Sequence, residues 1–200
     1  VQADDVEIYL TPPPNPVPPN VLFILDESGS MDFGSPTRLS ELKKALNSTG
    51  SPLGILQDPA NDNINAAIMA YTLKPLGHGK YADSVRVISN FGLIKDNRAS
   101  MVSAVNGLQA VSGTPSVKAL ADAVGWFESG FTDTPNNIGG SNSTYSSPLD
   151  VAEQGNWCKP NHIVFLTDGQ PNSNNPVNSS WSKDWAVSSY RNASNNNAVE

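Results

Sequence analysis

The stretch NVLFILDESGSMD, residues 20–32, is the clearest indication of the fold class, because five apolar residues run directly into the polar segment DESGS. An apolar run of this length is typical of a strand that is buried on both faces, and such strands usually belong to parallel sheets covered by helices. In open α/β sheets, ligand sites form at the carboxyl ends of the strands. Asp26, Ser28 and Ser30 follow this strand and therefore stand where a binding site is expected.

Composition and charge limit the classes of protein to which the chain can belong. Its 200 residues, with 38% hydrophobic content and a net charge of −7, fit one soluble α/β domain with a substantial core. The 12 Lys and Arg residues are scattered, and the acidic balance disfavours nucleic acid as a partner. The longest apolar runs are strand-sized, whereas a membrane-spanning helix needs about 20 residues. We therefore expect neither a nucleic-acid partner nor a membrane span.

The chain divides into a short leading segment and a domain. Residues 1–19 comprise an acidic strand candidate, DDVEIYL, and the proline-rich linker TPPPNPVPP, whereas residues 20–200 form the domain. Within the domain, residues 130–157 are rich in Gly, Asn, Ser and Thr, which predicts a surface insertion without secondary structure. A doubly wound sheet normally has further strands, so we expect the polypeptide to continue beyond residue 200.

Hydrophobic periodicity predicts alternating strands and helices. Gly77 and Gly79 mark a turn between two strands that are positioned to form a hairpin, and Asp96 or Asn97 is the expected cap of the helix that follows. This order predicts an α/β fold in which a doubly wound, mostly parallel, Rossmann-like sheet is flanked by helices. The predicted elements are strand 21–25, helix 35–50, strands 64–73 and 84–92, helices 96–108 and 114–129, and strand 163–166.

Oxygen-bearing side chains meet at one edge of this predicted sheet. The strand at 163–166 runs into Thr167 and Asp168, as the first strand runs into Asp26, and Thr114 stands at a loop-to-helix junction. Carboxylate and hydroxyl oxygens are hard ligands that suit Mg²⁺, Mn²⁺ or Ca²⁺ and disfavour zinc or copper. Two carboxylates neutralise such an ion only partly, so a bound water remains that an incoming carboxylate can replace. The pattern therefore favours a metal-dependent binding site.

Each of these residues also has an ordinary structural role open to it. Asp26 can cap the following helix while the two serines form a turn, and Thr114 can be the N-cap of the helix that follows Pro115. Asp168, followed by Gly169, can belong to a simple turn. Elsewhere, Asp32 fits a solvated surface acid better than a residue near the ion, His78 and His162 match no metal spacing, and Trp126 and Phe127 fit the core or its rim. Cys158 fits a buried thiol and a bridge outside the chain equally well.

Three segments together resemble the metal-ion-dependent adhesion site of von Willebrand factor A domains: FILDESGSM, SGTPS and FLTDG. In that family, a D-x-S-G-S loop, a threonine and the aspartate of a T-D-G loop surround one divalent cation. Asp26, Ser28, Ser30, Thr114 and Asp168 match these positions one by one. The resemblance covers residues 20–172 and implies that the hydroxyls coordinate the ion directly or alternately, while the aspartates often act through water.

A narrower resemblance involves the order of four segments: DDVEIYL, PNVLFILDESGSM, GTPSVKALADA and CKPNHIVFLTDGQPN. They are similar to the amino-terminal part of the PilY/PilC type IV pilus tip adhesins, in which a β-propeller follows the A domain. This resemblance implies a secreted protein at the cell surface, at a pilus tip, that acts in adhesion or pilus assembly. The partners it implies are pilin or minor pilin subunits and a protein ligand or host receptor that offers an acidic group.

Other functions stay open at this point. An extracellular A-domain protein unrelated to pili would carry the same site, as would an intracellular A domain that works with an ATPase, although the proline-rich linker fits the latter poorly. A metal-dependent hydrolase or phosphotransferase is a further alternative. The sequence contains no H-E-x-x-H, G-x-x-x-x-G-K-[ST] or G-x-S-x-G motif, and hydroxyl-rich ligation suits binding better than water activation. We therefore expect a protein that is not an enzyme.

Overall fold

The structure is a computed structural model that describes residues 17–133, 138, 142–149 and 159–169. Its main feature is a four-stranded sheet, and helices pack on both faces of it. Two single turns of 3₁₀ helix lie at Gly29–Asp32 and Pro59–Asn61. The other elements, in chain order, are β1 (Asn20–Asp26), α1 (Arg38–Asn47), β2 (Asn65–Gly77), β3 (Lys80–Leu93), α2 (Ile94–Asn106), α3 (Ser116–Ser129), β4 (Phe131–Thr132), β5 (Thr144–Tyr145) and β6 (Asn161–Leu166).

The sheet has the strand order β3-β2-β1-β6, so β1 lies between two parallel neighbours. Among the described strands of this sheet, β2 and β3 are the one pair that is antiparallel. The predicted fold class, a mostly parallel sheet flanked by helices, is therefore confirmed. Because β1 and β6 are parallel and adjacent, the residues that follow them emerge at the same edge of the sheet.

Both faces of β1 are buried, as its apolar run predicts. Phe23 and Leu25 pack with α1 and α2 on one face, whereas Leu22 and Ile24 pack with α3 on the other. Alternate side chains of a strand point to opposite faces, so a strand between two helical layers needs apolar residues at successive positions. Trp126 and Phe127 of α3 belong to the second layer, which confirms their predicted place in the core.

The predicted hairpin is present, and it is longer than the apolar pattern indicates. Pairing of β2 with β3 continues past the apolar residues to Gly77 and Lys80. Gly77, His78 and Gly79 connect the strands with positive φ angles of 86°, 50° and 71°. Glycine adopts this left-handed backbone without steric cost, which explains the two glycines of the turn.

The start of α2 differs from the sequence prediction. The helix begins at Ile94, and the N-cap position is Leu93 rather than Asp96 or Asn97. Tertiary structure replaces the polar cap: Ile94 is fully buried, and its backbone N–H donates to the carbonyl of Ile64 at 3.0 Å. By contrast, α1 has a polar side-chain cap, because Thr37 Oγ1 accepts a hydrogen bond from Ser40 N. The helix therefore begins at Arg38, later than the start of the predicted range, 35–50.

The insertion predicted at 130–157 to lack secondary structure contains a short two-stranded sheet, which corrects that expectation. Strands β4 and β5 pair Phe131 with Tyr145. Their rings pack against Trp126, with centroid separations of 6.1 and 5.7 Å, and Trp126 Nε1 donates to the carbonyl of Ser146 at 2.9 Å. Phe131 and Tyr145, which are 14 positions apart in the sequence, hold this segment against α3. A contact over this distance in sequence is not visible in the local pattern of apolar residues.

At the amino ends of the strands, three asparagines form a row across the sheet. Asn20 Nδ2 donates to Asn161 Oδ1 at 2.8 Å, and Asn65 Nδ2 donates to Asn20 Oδ1 at 2.6 Å. The same residues are register partners in the two parallel pairings of β1. This row lies at the edge opposite to Asp26 and links β2, β1 and β6.

Several sequence-based expectations lie outside the described residues. These are the strand candidate DDVEIYL, the part of the proline-rich linker before residue 17, and the environment of Cys158. Within the described part of the chain, no helix combines the length and apolar character needed to cross a membrane.

Candidate functional site

Asp26 is the centre of a hydrogen-bond network at the carboxyl end of β1. It is fully buried, and its Oδ1 accepts a hydrogen bond from the backbone N–H of Ser28 at 2.7 Å. Its Oδ2 accepts hydrogen bonds from the hydroxyls of Tyr71, at 2.9 Å, and Thr167, at 2.8 Å. Asp26 thus accepts a hydrogen bond from its own loop, and it also connects β1 with β2 and β6.

Three of the predicted site residues are joined directly through their side chains. The hydroxyl oxygens of Ser28 and Ser30 lie 3.0 Å apart, and Ser30 Oγ donates to Asp168 Oδ1 at 2.8 Å. The loop after β1 supplies the two serines, and the loop after β6 supplies the aspartate. The structure therefore brings together residues that are 138 positions apart in the sequence. Asp168 takes part in this network and does not merely form a turn.

Thr114 reaches the same region through its loop. It is 5% exposed, and it follows a segment whose backbone pairs with the loop of the serines. Ser28 and Ser112 form a parallel bridge, and the N–H of Gly29 donates to the carbonyl of Ser112. The N-cap position of α3 is Pro115, so Thr114 is not the N-cap of this helix, the alternative role that the sequence left open.

Arg38 is a site residue that the sequence reasoning missed. Its Nη1 lies 2.8 Å from Asp168 Oδ2 and 3.5 Å from the carbonyl oxygen of Ser30. The Arg38 side chain is 51% exposed, whereas that of Asp168 is 5% exposed. Residue 38 begins α1, and its sequence neighbourhood contains no signal that the side chain turns back to the loop. A cationic group thus already neutralises part of the negative charge of the site.

Tyr71 was also missed, although the register of the sheet places it directly beside Asp26. Burial raises the pKa of its hydroxyl far above the ordinary value, and the negative charge of Asp26 raises it further, while the Thr167 hydroxyl opposes part of this shift. Tyr71 therefore stays protonated at physiological pH and serves as a hydrogen-bond donor to Asp26.

The donor set fits a hard divalent cation. Ser28 Oγ, Ser30 Oγ and Asp168 Oδ1 form a continuous row of oxygens, each within 3.0 Å of the next, and Asp26 lies beside them. Such oxygens suit Mg²⁺, Mn²⁺ or Ca²⁺. No group of three or more His, Cys, Asp or Glu residues suited to a metal occurs among the described residues, so the candidate site depends on its hydroxyls.

A cleft borders the network on the side of α1. Its volume is about 490 Å³, and Arg38 and Asp168 line it together with the apolar residues Met31, Leu42 and Leu166. The cleft offers room beside the oxygen cluster for part of a ligand. Asp32, in contrast, is exposed, as expected for a solvated surface acid.

Comparisons with known proteins give similarity at the level of structure. No protein-family model and no curated protein matches the sequence. The PilB minor pilin from Streptococcus sanguinis is similar over 81% of this chain and 32% of its own, with 18% identity and a TM-score of 0.52. The von Willebrand factor domain of the type V pili tip protein Mfa5 from Porphyromonas gingivalis is similar over 78% of this chain and 40% of its own. The sequence identity is 16%, and the TM-score is 0.42.

The pilus adhesin SpaC from Lactobacillus rhamnosus GG is similar over 78% of this chain and 16% of its own, with 17% identity and a TM-score of 0.45. This chain therefore spans two fifths or less of the length of each of these three structures. The similarity to the minor pilin supports the α/β fold described above, and the fold is all that identities this low establish.

Proposed function

We propose that Asp26, Ser28, Ser30, Thr114 and Asp168 hold one divalent cation, and that the chain is a metal-dependent binding module of a cell-surface protein. The observation that carries the proposal is the hydrogen-bonded row from Ser28 through Ser30 to Asp168. Parallel strands β1 and β6 deliver its two loops to one edge of the sheet, where open α/β folds bind ligands.

The residues have different roles in this proposal. The hydroxyls of Ser28 and Ser30 are direct ligands, because each oxygen has lone pairs that can coordinate a cation while its O–H proton turns toward another acceptor. Asp26 already accepts three hydrogen bonds, so it holds the serine loop in place and contacts the ion through water. A bound cation keeps an open coordination position, which a carboxylate from a partner can occupy.

Arg38 and the cleft extend the proposed site toward a ligand. The half-exposed guanidinium lies at the rim, next to Asp168, and the apolar wall of the cleft starts beside it. An acidic side chain bound to the cation would lie within reach of this second positive group. The arrangement favours an acidic group on a protein partner that also presents apolar surface to the cleft.

We infer binding rather than catalysis from the same donors. The Asp26 carboxylate is occupied by three hydrogen-bond donors, which leaves it poorly suited to act as a nucleophile or base. Serine and threonine oxygens also neutralise little of the charge of a cation, so the ion attracts an acidic ligand strongly.

The proposed location is a pilus, with the tip of a type IV pilus as the specific case. Support comes from the resemblance of four sequence segments to the PilY/PilC adhesins, and the fold is compatible with it because a minor pilin shares that fold. Pilin or minor pilin subunits are the proposed partners in assembly. Mass spectrometry of filaments sheared from native cells tests this location: peptides of this chain should be present, and their confinement to the cytosol would contradict it.

Isothermal titration calorimetry with Mg²⁺, Mn²⁺ and Ca²⁺ tests the cation site. The unaltered protein should bind one ion, and Ser28→Ala combined with Ser30→Ala should abolish binding. Ser103→Ala is the matched control, because it removes an exposed hydroxyl from α2. Binding that is equal in the double variant and the control would refute the site.

A further inference from the structure

We propose that Glu27 and Arg86 form a positioning pair that holds the two loops of the cation site at the correct distance. The inference rests on the proposed function, because it concerns the geometry of that same site. Glu27 stands between Asp26 and Ser28 in the sequence, yet its side chain is directed to β3 and to the loop before α3.

The contacts of Glu27 link the serine loop to three other parts of the fold. Its Oε1 accepts hydrogen bonds from Arg86 Nη2 at 3.0 Å and from the backbone N–H of Gln109 at 3.1 Å. Its Oε2 lies 2.5 Å from Arg86 Nη1. Its backbone N–H donates to the carbonyl of Tyr71 at 2.9 Å, and its carbonyl accepts from Val111 N at 2.8 Å.

These contacts fix one loop against the other. The segment 109–112 is joined to residues 27–29 at three successive points: Gln109 to the Glu27 side chain, Val111 to the Glu27 backbone, and Ser112 to Gly29. Thr114 follows this segment by two residues. The distance from Thr114 to the serines is therefore set where Glu27 meets Gln109 and Val111.

Glu27 and Arg86 are buried and do not belong to the proposed metal ligands. The side chains of Glu27 and Arg86 are 3% and 13% exposed, and the carboxylate faces the guanidinium rather than the oxygens of Ser28 and Ser30. Each charge neutralises the other, so the pair adds no net charge beside the cation. A buried ion pair is costly to desolvate and a weak source of stability, but it holds its partners in one geometry.

Because Glu27 and Arg86 carry opposite charges, their substitution can distinguish a positioning role from a purely electrostatic effect on cation affinity. Arg86→Gln leaves the negative charge of Glu27 near the site, so an electrostatic effect alone would strengthen cation binding. Glu27→Gln leaves a positive charge and would weaken it. Positioning requires that both substitutions weaken binding, since either one removes the link between β3 and the loops.

Calorimetric titration with Mn²⁺ on the unaltered protein, Glu27→Gln and Arg86→Gln tests the proposal. We expect the Kd to increase about 10- to 100-fold in both variants, as for other groups that orient metal ligands. Ile94→Ala, which removes buried atoms at the opposite end of β2, is the control for lost stability and should change the Kd less than twofold. Unchanged or tighter binding by Arg86→Gln would overturn the positioning role.

Arg86→Lys gives an independent readout without metal, because lysine keeps the charge but cannot contact both carboxylate oxygens in the same way. Amide hydrogen exchange should become faster in residues 26–30 and 109–112 and stay unchanged in α2. Unchanged exchange in both loop segments would contradict the proposal, even if the glutamine variants fail to fold. Absence of Mn²⁺ binding by the unaltered protein would instead refute the proposed cation site, and with it this inference.

Discussion

The hydroxyl of Tyr71 donates a 2.9 Å hydrogen bond to Asp26 Oδ2, from one strand to the residue paired with it on the next. Both residues are fully buried, so water does not replace this donor when it is removed. The bond ties the carboxylate at the end of β1 to β2. The rigidity of the site therefore depends in part on a residue that contributes no proposed ligand.

Removing this hydroxyl should destabilise the fold. Tyr71→Phe keeps the ring that stacks on Phe165 but deletes the donor to a buried carboxylate. We expect a loss of about 1.5–3 kcal/mol in the free energy of unfolding, the usual range for hydrogen bonds to charged groups. Urea denaturation without metal measures it, and equal midpoints for the two proteins would contradict the assignment.

The same variant should change the response to alkaline pH. Because burial raises the pKa of Tyr71 in the folded protein, the unfolded chain loses this proton first as pH rises above about 10. The stabilising contribution is present below that pH and is lost above it. The difference in stability between the native protein and Tyr71→Phe should therefore shrink above about pH 10, and a constant difference across that range would count against a buried, protonated Tyr71.

Arg38 should reduce the affinity of the site for cations. Arg38→Gln removes the positive charge beside Asp168, so the carboxylate becomes more available to a metal ion. Exposed ion pairs are worth about 0.2–1 kcal/mol, which corresponds to a Kd for Mg²⁺ that is up to about fivefold lower in the variant. Calorimetry measures this change; weaker Mg²⁺ binding would mean that Arg38 supports the site instead.

The asparagine row at the opposite edge should matter for stability alone. Asn20→Ala removes two side-chain hydrogen bonds and leaves the groups on Asn65 and Asn161 without these partners. The expected cost is about 1–3 kcal/mol in the free energy of unfolding. Cation affinity should stay the same, because the row lies at the other end of β1. A changed Kd for Mn²⁺ would contradict this separation of roles.

The parts of the site that sequence reasoning found follow from local pattern. Asp26, Ser28 and Ser30 stand next to each other in a short motif after a buried strand, and Asp168 follows a second strand of the same kind. The parallel pairing of these strands brings the residues together, as expected. Local apolar runs and sheet topology were sufficient for this much.

The residues that were missed act over long distances in the sequence. Tyr71 pairs with Asp26 only through the register of β1 and β2, and Arg86 meets Glu27 from a strand that is not adjacent to β1. Arg38 reaches back with a long, half-exposed side chain. The predicted start of α2 was wrong for a related reason. A backbone hydrogen bond to Ile64 replaces the polar N-cap that the local sequence pattern predicts.

The proposed cation site among the oxygens of Asp26, Ser28, Ser30, Thr114 and Asp168 can be tested directly. Crystals grown with Mn²⁺ allow the ion to be located by its anomalous scattering. We expect one strong peak at the carboxyl ends of β1 and β6, about 2.0–2.6 Å from the hydroxyl oxygens of Ser28 and Ser30, as in oxygen-ligated Mg²⁺ and Ca²⁺ sites. No peak there at saturating Mn²⁺, with both loops ordered, would contradict it.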